Sequence, residues 1–484
     1  MTTSRKATLL QLVFLIYGVA AAGPFGLEGM VSESGPGMTI LLLLVMPFLW
    51  GIPIALATAE LATMLPVEGG YYRWARLAFG DFWAFQCGWW AWSANMVNGA
   101  VYAVLFTDYA QAWDPELKLL APLSVPLHGV LSAIPGIGPA MFPDPHAVAH
   151  WLICLVLTWA LTGLNLRGIR TVGDSSIVMN VLLLAPFAII TVLGFAGWRF
   201  NPVLPFVATG QTPVSGFVAG LLVAIWLYSG YEMLSTNAEE IENPQRNFPR
   251  ALGVAVPMVA LSYAVPTLAA LAALGSWQDW APQHFADVGR ALGGAWGGWL
   301  GGWVILGGLL SNAVLLNVNM LSISRLPLAM AQDRFAPAAF AKVSPTTGAP
   351  VVSLIAGGVI YSILTLRGFT DLINIYAFLQ AANYLMIYLS LVKLRRRMPD
   401  ALRPFRIPGG GWGLALVVVP PFAVALMALY GEAETVLWGL AAIAVGPVAY
   451  LLALVMRRRP AGPAGGRAPG GDGPPGPGSR ARVE

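Results

Sequence analysis

Three carboxylates, Glu28, Glu60 and Glu232, stand within long apolar stretches of this sequence. A carboxylate among hydrocarbon must face protein or water, where it can hold a cation or exchange a proton. Two of the three follow places where a helix cannot easily continue. Gly23-Pro24-Phe25-Gly26 precedes Glu28, and Tyr228-Ser229-Gly230-Tyr231 precedes Glu232. Pro24 lacks an amide and clashes with the preceding turn, while the glycines weaken the helix on either side. Close helix packing accounts for either glycine site taken alone. The pair is more telling: opened helices free amides at the start of one half and carbonyls at the end of the other.

An amino-acid zwitterion fits those ends. Its carboxylate would meet the amides near Gly26, and its ammonium the carbonyls around Ala22 and Gly23 and around Tyr228, Ser229 and Gly230. Phe25, Trp226, Tyr228 and Tyr231 are the aromatic residues expected to wall the pocket or gate it. Glu232 and Glu28 are the expected coupling or gating groups, with either a proton as the coupling ion or exchange without one. Glu28 would meet an ammonium or close the outer path. Glu60 reads as a structural group that snorkels or accepts hydrogen bonds from a neighbouring helix. No metal or cofactor is called for.

The elements that must carry these residues are membrane helices. Of 484 residues, 57% are apolar and 10% charged, far from the ~25% charged of a soluble domain. That balance excludes a water-facing globule and argues against nucleic-acid binding. Runs of about twenty apolar residues mark spans, and about twelve occur, near 9–31, 38–65, 81–109, 148–166, 174–197, 214–238, 251–274, 295–324, 351–366, 372–394, 412–430 and 434–456. The first is read as a span and not as a cleaved leader, because it outruns a usual leader core. With the amino terminus inside, every Lys and Arg of the 27 falls on the cytoplasmic side except Lys118, Arg199, Arg290 and Arg367, as the positive-inside rule requires. The expectation is a multi-pass protein of the cell membrane with both termini cytoplasmic.

Gly23 and Gly230 each lie in the first span of a five-span block, and paired interruptions of this kind point to a transporter built of inverted repeats. The expected organisation is a transmembrane domain over 1–456, with repeat one at 9–197, repeat two at 214–394 and two extra helices at 412–456. Residues 457–484, rich in Arg, Gly and Pro, read as a disordered cytoplasmic tail. Cys87 and Cys154 read as small buried hydrophobes, and three of the four histidines, His128, His146 and His150, as loop or interfacial residues. No nucleophile elbow or metal-binding helix motif appears, so an enzyme is not expected.

The stretch Ala238 to Arg250, AEEIENPQRNFPR, with Ser324-Arg325, Ala329 to Asp333 and Gly348-Ala349-Pro350, resembles the inner-loop signatures of the amino acid–polyamine–organocation transporters. Thr58 to Ala62, Glu68 to Tyr71, Phe82 to Gln86 and Asn165 to Gly168 are similar to the branch that includes L-type amino acid and polyamine-uptake carriers. The resemblance implies an all-α, LeuT-like fold of five plus five spans with spans 1 and 6 broken, working by alternating access. The polyamine-uptake pattern further implies acids at positions that here read Gly29, Ile54, Val97 and Asn319, and burying unpaired amines without them is costly. An amino acid is therefore the expected substrate, with a polyamine or other organic cation, held by Glu28 and Glu232, as the alternative. Members that work without sodium often carry a Lys in span 5, and none occurs between Asp174 and Gly197.

Overall fold

The structure, a computed structural model, describes residues 7–21, 23–135, 138–167, 170–427 and 433–458. Ala22 and the tail beyond 458 lie outside the described residues. All twelve expected spans are helical, and among the described residues the only strand-like feature is an isolated bridge between Ala7 and Ile241. Among the described residues, eight helices are long and apolar enough to cross a membrane, including Pro36–Met64, Pro244–Leu274 and Gly294–Gln332. Four spans fall short for different reasons. The third, Asp81–Gln111, buries Gln86, Asn95 and Asn98, and the ninth, Val351–Leu364, has 14 residues.

The first and sixth are broken, as expected. Thr8 caps Leu9–Ala20, whose helix ends there, and Glu28–Ser34 resumes it. Thr212 caps Pro213–Leu227. Beyond Glu232 the sixth span does not return to an α-helix but tightens into a 3-10 segment, Met233–Glu240. The expected helix to 238 therefore stops at Leu227, because Gly230 takes a φ of 105° that no right-handed helix contains.

The order of elements repeats along the chain. Each half runs as a broken helix, a long helix, a short amphipathic helix and a second long helix, followed by two more. The short amphipathic helices, Gly70–Phe79 and His284–Leu292, were not expected from hydropathy. The first buries Tyr71, Tyr72, Trp74 and Ala75 while Arg73 reaches outward. The last two spans are peripheral: 17% of the residues in each apolar window are buried, against 78% in Gly294–Gln332.

Two prolines show how packing repairs a helix ladder inside the membrane. Pro47 has no amide to offer the carbonyl of Leu43, and the Tyr228 hydroxyl donates to that oxygen at 2.6 Å. Pro447 likewise frees the carbonyl of Ile443, which accepts the Trp90 indole N–H at 3.0 Å. The first repair fastens span 6 to span 2, the second fastens span 12 to span 3. Cys87 and Cys154 are buried free thiols.

Residues assigned by sequence to one side meet one another. The Glu242 amide donates to the Ala7 carbonyl at 3.0 Å, and the Gly69 amide to Thr236 at 3.3 Å. Glu60, fully buried on span 2, accepts from Arg395 Nε at 2.7 Å and from the Ile407 amide at 2.8 Å, and pairs with Arg403 at 3.3 Å. That carboxylate pins the end of span 10 and the loop before span 11 onto span 2, which is the structural role expected of it. We predict that Glu60→Ala, by leaving two nearly buried guanidinium groups unpaired, costs about 3–5 kcal/mol. A thermal melt in detergent should fall accordingly, while Arg396→Ala, at an exposed position, should leave the midpoint unchanged.

Candidate functional site

The two breaks fit into each other. Gly23 and Gly26 adopt φ of 97° and 85°, and Gly230 one of 105°. A side chain on Gly230 would lie 3.2 Å from the Val19 carbonyl, and one on Gly26 2.8 Å from the Trp226 ring. The end of the first half of span 1 thus backs onto Gly230, and Trp226, near the end of the first half of span 6, covers Gly26. Both contacts need a residue without Cβ, for close approach as well as for φ.

Helix breaks in hydrocarbon leave backbone groups that require partners. The Gly26 amide donates to Glu28 Oε2 at 2.8 Å, and Glu28 Oε1 accepts from the Tyr109 hydroxyl at 2.6 Å. At the other break the Gly230 amide donates to the Tyr384 hydroxyl at 2.8 Å. That hydroxyl donates in turn to Glu232 Oε2 at 2.5 Å, and Gln380 donates to Glu232 Oε1 at 2.7 Å. Both carboxylates are fully buried. The carbonyl ends are served differently. One hydroxyl, that of Tyr263 on span 7, lies 3.3 Å from the Ala20 oxygen and 3.2 Å from the Leu227 oxygen. Its single proton is shared between the ends of both half-helices.

The amide meant for a substrate carboxylate is occupied by the chain's own Glu28, two residues on, because the tight turn at Gly26 brings that side chain back over its own backbone. The Gly26 and Gly230 amides are thus engaged within the protein, whereas the Ala20 and Leu227 carbonyls share one hydroxyl.

The remaining expected residues divide by environment. Ser229 donates to the Ile225 carbonyl at 2.6 Å and accepts from the Trp50 indole at 3.0 Å; Trp50 in turn stacks on Tyr384 with centroids 5.3 Å apart. Trp226 donates to Asn98 at 2.9 Å, and Asn98 to Tyr102, also at 2.9 Å. Phe25 packs edge-on against Tyr109 and Phe187, and Phe187 against Phe285, which meets Trp280. These rings form one continuous buried chain from Phe25 to Trp280. Tyr228 is drawn away from the centre, its hydroxyl on span 2 and its ring against Tyr263. Tyr231 is buried, with no hydrogen-bond partner for its hydroxyl among the described residues. Ala22 lies outside the described residues.

On the Arg-rich face, Asp333 joins the two halves. It meets Arg73 at 2.6 Å, Arg76 at 2.5 Å and the Tyr72 hydroxyl at 2.8 Å. Partial burial pushes its carboxyl up, but the tyrosine hydroxyl and the two guanidinium groups outweigh that and hold it below the usual carboxylate range. This cross-link therefore persists at neutral pH and is lost only as pH falls through that depressed value.

Sequence reasoning missed Tyr109, Asn98, Trp50, Tyr263, Gln380 and Tyr384. A signal for some of them was present. Asn95, Asn98, Tyr102 and Tyr109 fall on one face of span 3, and Tyr376, Gln380, Asn383 and Tyr384 on one face of span 10, by helical spacing. Tyr71, Tyr102, Tyr376 and Tyr388 are also within electrostatic reach of Glu232. Of the tyrosines, Tyr384 is the one hydrogen-bonded to the carboxylate among the described residues.

Residues 8–453 match the family described as amino acid permease. Among curated proteins, a probable polyamine transporter of Arabidopsis thaliana is 36% identical over 88% of this chain and 82% of its own length. A second polyamine transporter of Arabidopsis thaliana is 33% identical over 92% of this chain and 84% of its own length. One from Oryza sativa subsp. japonica is 32% identical over 92% of this chain and 78% of its own length.

Tyr263→Phe removes the one donor shared by both half-helix ends, a loss of about 1–3 kcal/mol. The melting midpoint in detergent should drop measurably, while Tyr450→Phe on the last span should not change it. Gly230→Leu should insert and purify yet lose its tight fit against Val19, and with it all solute binding, read as the loss of any ligand-induced thermal shift.

Proposed function

This chain belongs to the amino acid permease family of the amino acid–polyamine–organocation superfamily, and from that premise we propose that it carries a polyamine or related organic cation across the cell membrane by alternating access. It is a transporter, not an enzyme. The observation that carries the choice of cargo is the hydrogen-bond balance at the breaks. With the Gly26 amide already on Glu28 and the Gly230 amide already on Tyr384, a substrate carboxylate would have to displace groups of the protein. An ammonium group would displace only the Tyr263 hydroxyl, the single donor that two carbonyls share, with Glu28 or Glu232 as its counter-ion.

The polyamine transporters among its relatives support the same reading over the amino acid expected from sequence. The neutral residues at Gly29, Ile54, Val97 and Asn319 bear on size. Ile54 and Val97 are buried, and Asn319 is engaged with Tyr361 and the Asn95 carbonyl. Two carboxylates then remain to balance two ammonium groups, which favours a diamine over longer amines. The rings of Tyr102, Tyr376 and Tyr384 around Glu232 suit an organic cation, since aromatic faces attract positive charge.

Binding an ammonium requires an ionised carboxylate, so loading is linked to the protonation state of Glu28 or Glu232, which gives a route to proton coupling. Alternating access would proceed by opening either the ring chain at Phe25, Phe187 and Phe285 or the Asp333 cross-link. The termini, the Arg-rich face and the Asp333 cluster would lie in the cytoplasm.

In proteoliposomes, labelled putrescine should enter saturably and show counterflow, with spermidine competing and leucine not. Glu232→Gln should lower putrescine affinity by about a hundredfold or more, the cost of leaving a buried ammonium unpaired. Saturable leucine uptake untouched by excess putrescine would overturn this reading.

A further inference from the structure

A second site lies on the outside of the bundle. Between spans 2 and 7 runs a groove of about 750 Å3, walled by Leu44, Phe48 and Ala55 on one side and by Gly253, Ala260 and Leu268 on the other. Its lining is almost wholly apolar, and Leu44, Phe48 and Leu261 are exposed along it. Small residues keep it open: a side chain on Gly253 would meet no atom within 4 Å. On span 7 the lining extends from Pro249 to Leu268, which at 1.5 Å per residue is about 28 Å. That is close to the ~30 Å hydrocarbon thickness of a bilayer, so the groove follows the direction in which acyl chains lie.

One end is charged. Phe405 and Pro249 close the groove at the Arg-rich face, and each is followed in sequence by an exposed arginine, Arg406 and Arg250. Neither forms an ion pair among the described residues. The loop holding Phe405 and Arg406 is fixed over the end of span 2, through the Phe405 amide on Thr63 at 3.4 Å and the Ile407 amide on Glu60 at 2.8 Å. Two unpaired guanidinium groups at the membrane surface beside an apolar slot complement a phosphate carrying hydrocarbon chains.

We propose that this groove binds an anionic phospholipid of the leaflet at the Arg-rich face, with its phosphate held by Arg250 and Arg406 and an acyl chain lying along Gly253 and Ala260. The site is separate from the helix breaks and does not depend on what is transported. A bound chain would lie against span 2 between Leu43, which the Tyr228 hydroxyl grips, and the end of the helix at Glu60.

The test uses the purified full-length chain in neutral detergent, titrated separately with phosphatidylglycerol and phosphatidylcholine, with bound lipid counted by native mass spectrometry. Phosphatidylglycerol should bind at least tenfold more tightly. The double variant Arg250→Ala with Arg406→Ala, which alters exposed side chains only, should bring phosphatidylglycerol down to the level of phosphatidylcholine. Gly253→Leu, directed into open space, should weaken retention of both lipids by filling the slot, and Ala260→Leu should do the same from one wall. Equal retention of the two lipids by the unaltered protein, or a preference for phosphatidylglycerol that survives the double arginine variant, would overturn the proposal. So would lipid retention unchanged by both groove-filling variants, since the chain would then bind elsewhere.

Discussion

Backbone polar groups released in the middle of a bilayer have no water to turn to, and the structure is organised around finding them partners. At the first break the amide of Gly26 is met by Glu28, and at the second the amide of Gly230 is met by Tyr384. The opposing carbonyls of Ala20 and Leu227 converge on one tyrosine hydroxyl. Two interrupted helices, each unstable alone in lipid, become stable because each supplies a surface on which the other can end. The same rule governs the proline sites at Pro47 and Pro447, where a side chain from another span takes the carbonyl that the helix cannot satisfy.

That accounting also sets the chemical character of the centre. The Gly26 and Gly230 amides are consumed within the breaks, while two carbonyls share one hydroxyl. That balance is the ground on which an organic cation is proposed as the cargo. Glu28 and Glu232 are nearly symmetric in chain position, each just past a break, but differ in setting. Glu28 bonds with Tyr109 beside the ring chain, whereas Glu232 is held by span 10 through Gln380 and Tyr384. The two carboxylates are therefore anchored to different spans, Glu28 to span 3 and Glu232 to span 10.

Charge plays a separate role at the membrane surface. Asp333 ties the amphipathic helix Gly70–Phe79 to the segment after span 8, and Glu60 ties span 2 to spans 10 and 11. Both use arginine pairs, whose planar forks allow one carboxylate to hold two elements. Glu60 is as buried as Glu232, but its partners are cations and those of Glu232 are neutral. That difference is why Glu232, and not Glu60, is proposed as the counter-ion for a cargo.

The twelve spans, both breaks and the peripheral standing of the last two helices were legible in the sequence, because bilayer thickness imposes a length on apolar runs and Gly and Pro interrupt helices wherever they fall. The carboxylates at Glu28, Glu60 and Glu232 were legible for the same reason, as charges are conspicuous in hydrocarbon. Their partners were not. Tyr109, Tyr263, Gln380 and Tyr384 lie from 36 to 243 positions from the groups they serve, and a buried tyrosine in a membrane helix has the same local pattern whether it packs, gates or bonds. Sequence placed an amide at Gly26 for a ligand. Only the folded chain decided that Glu28 would take it, since the backbone turn that frees an amide also determines which side chain reaches it first.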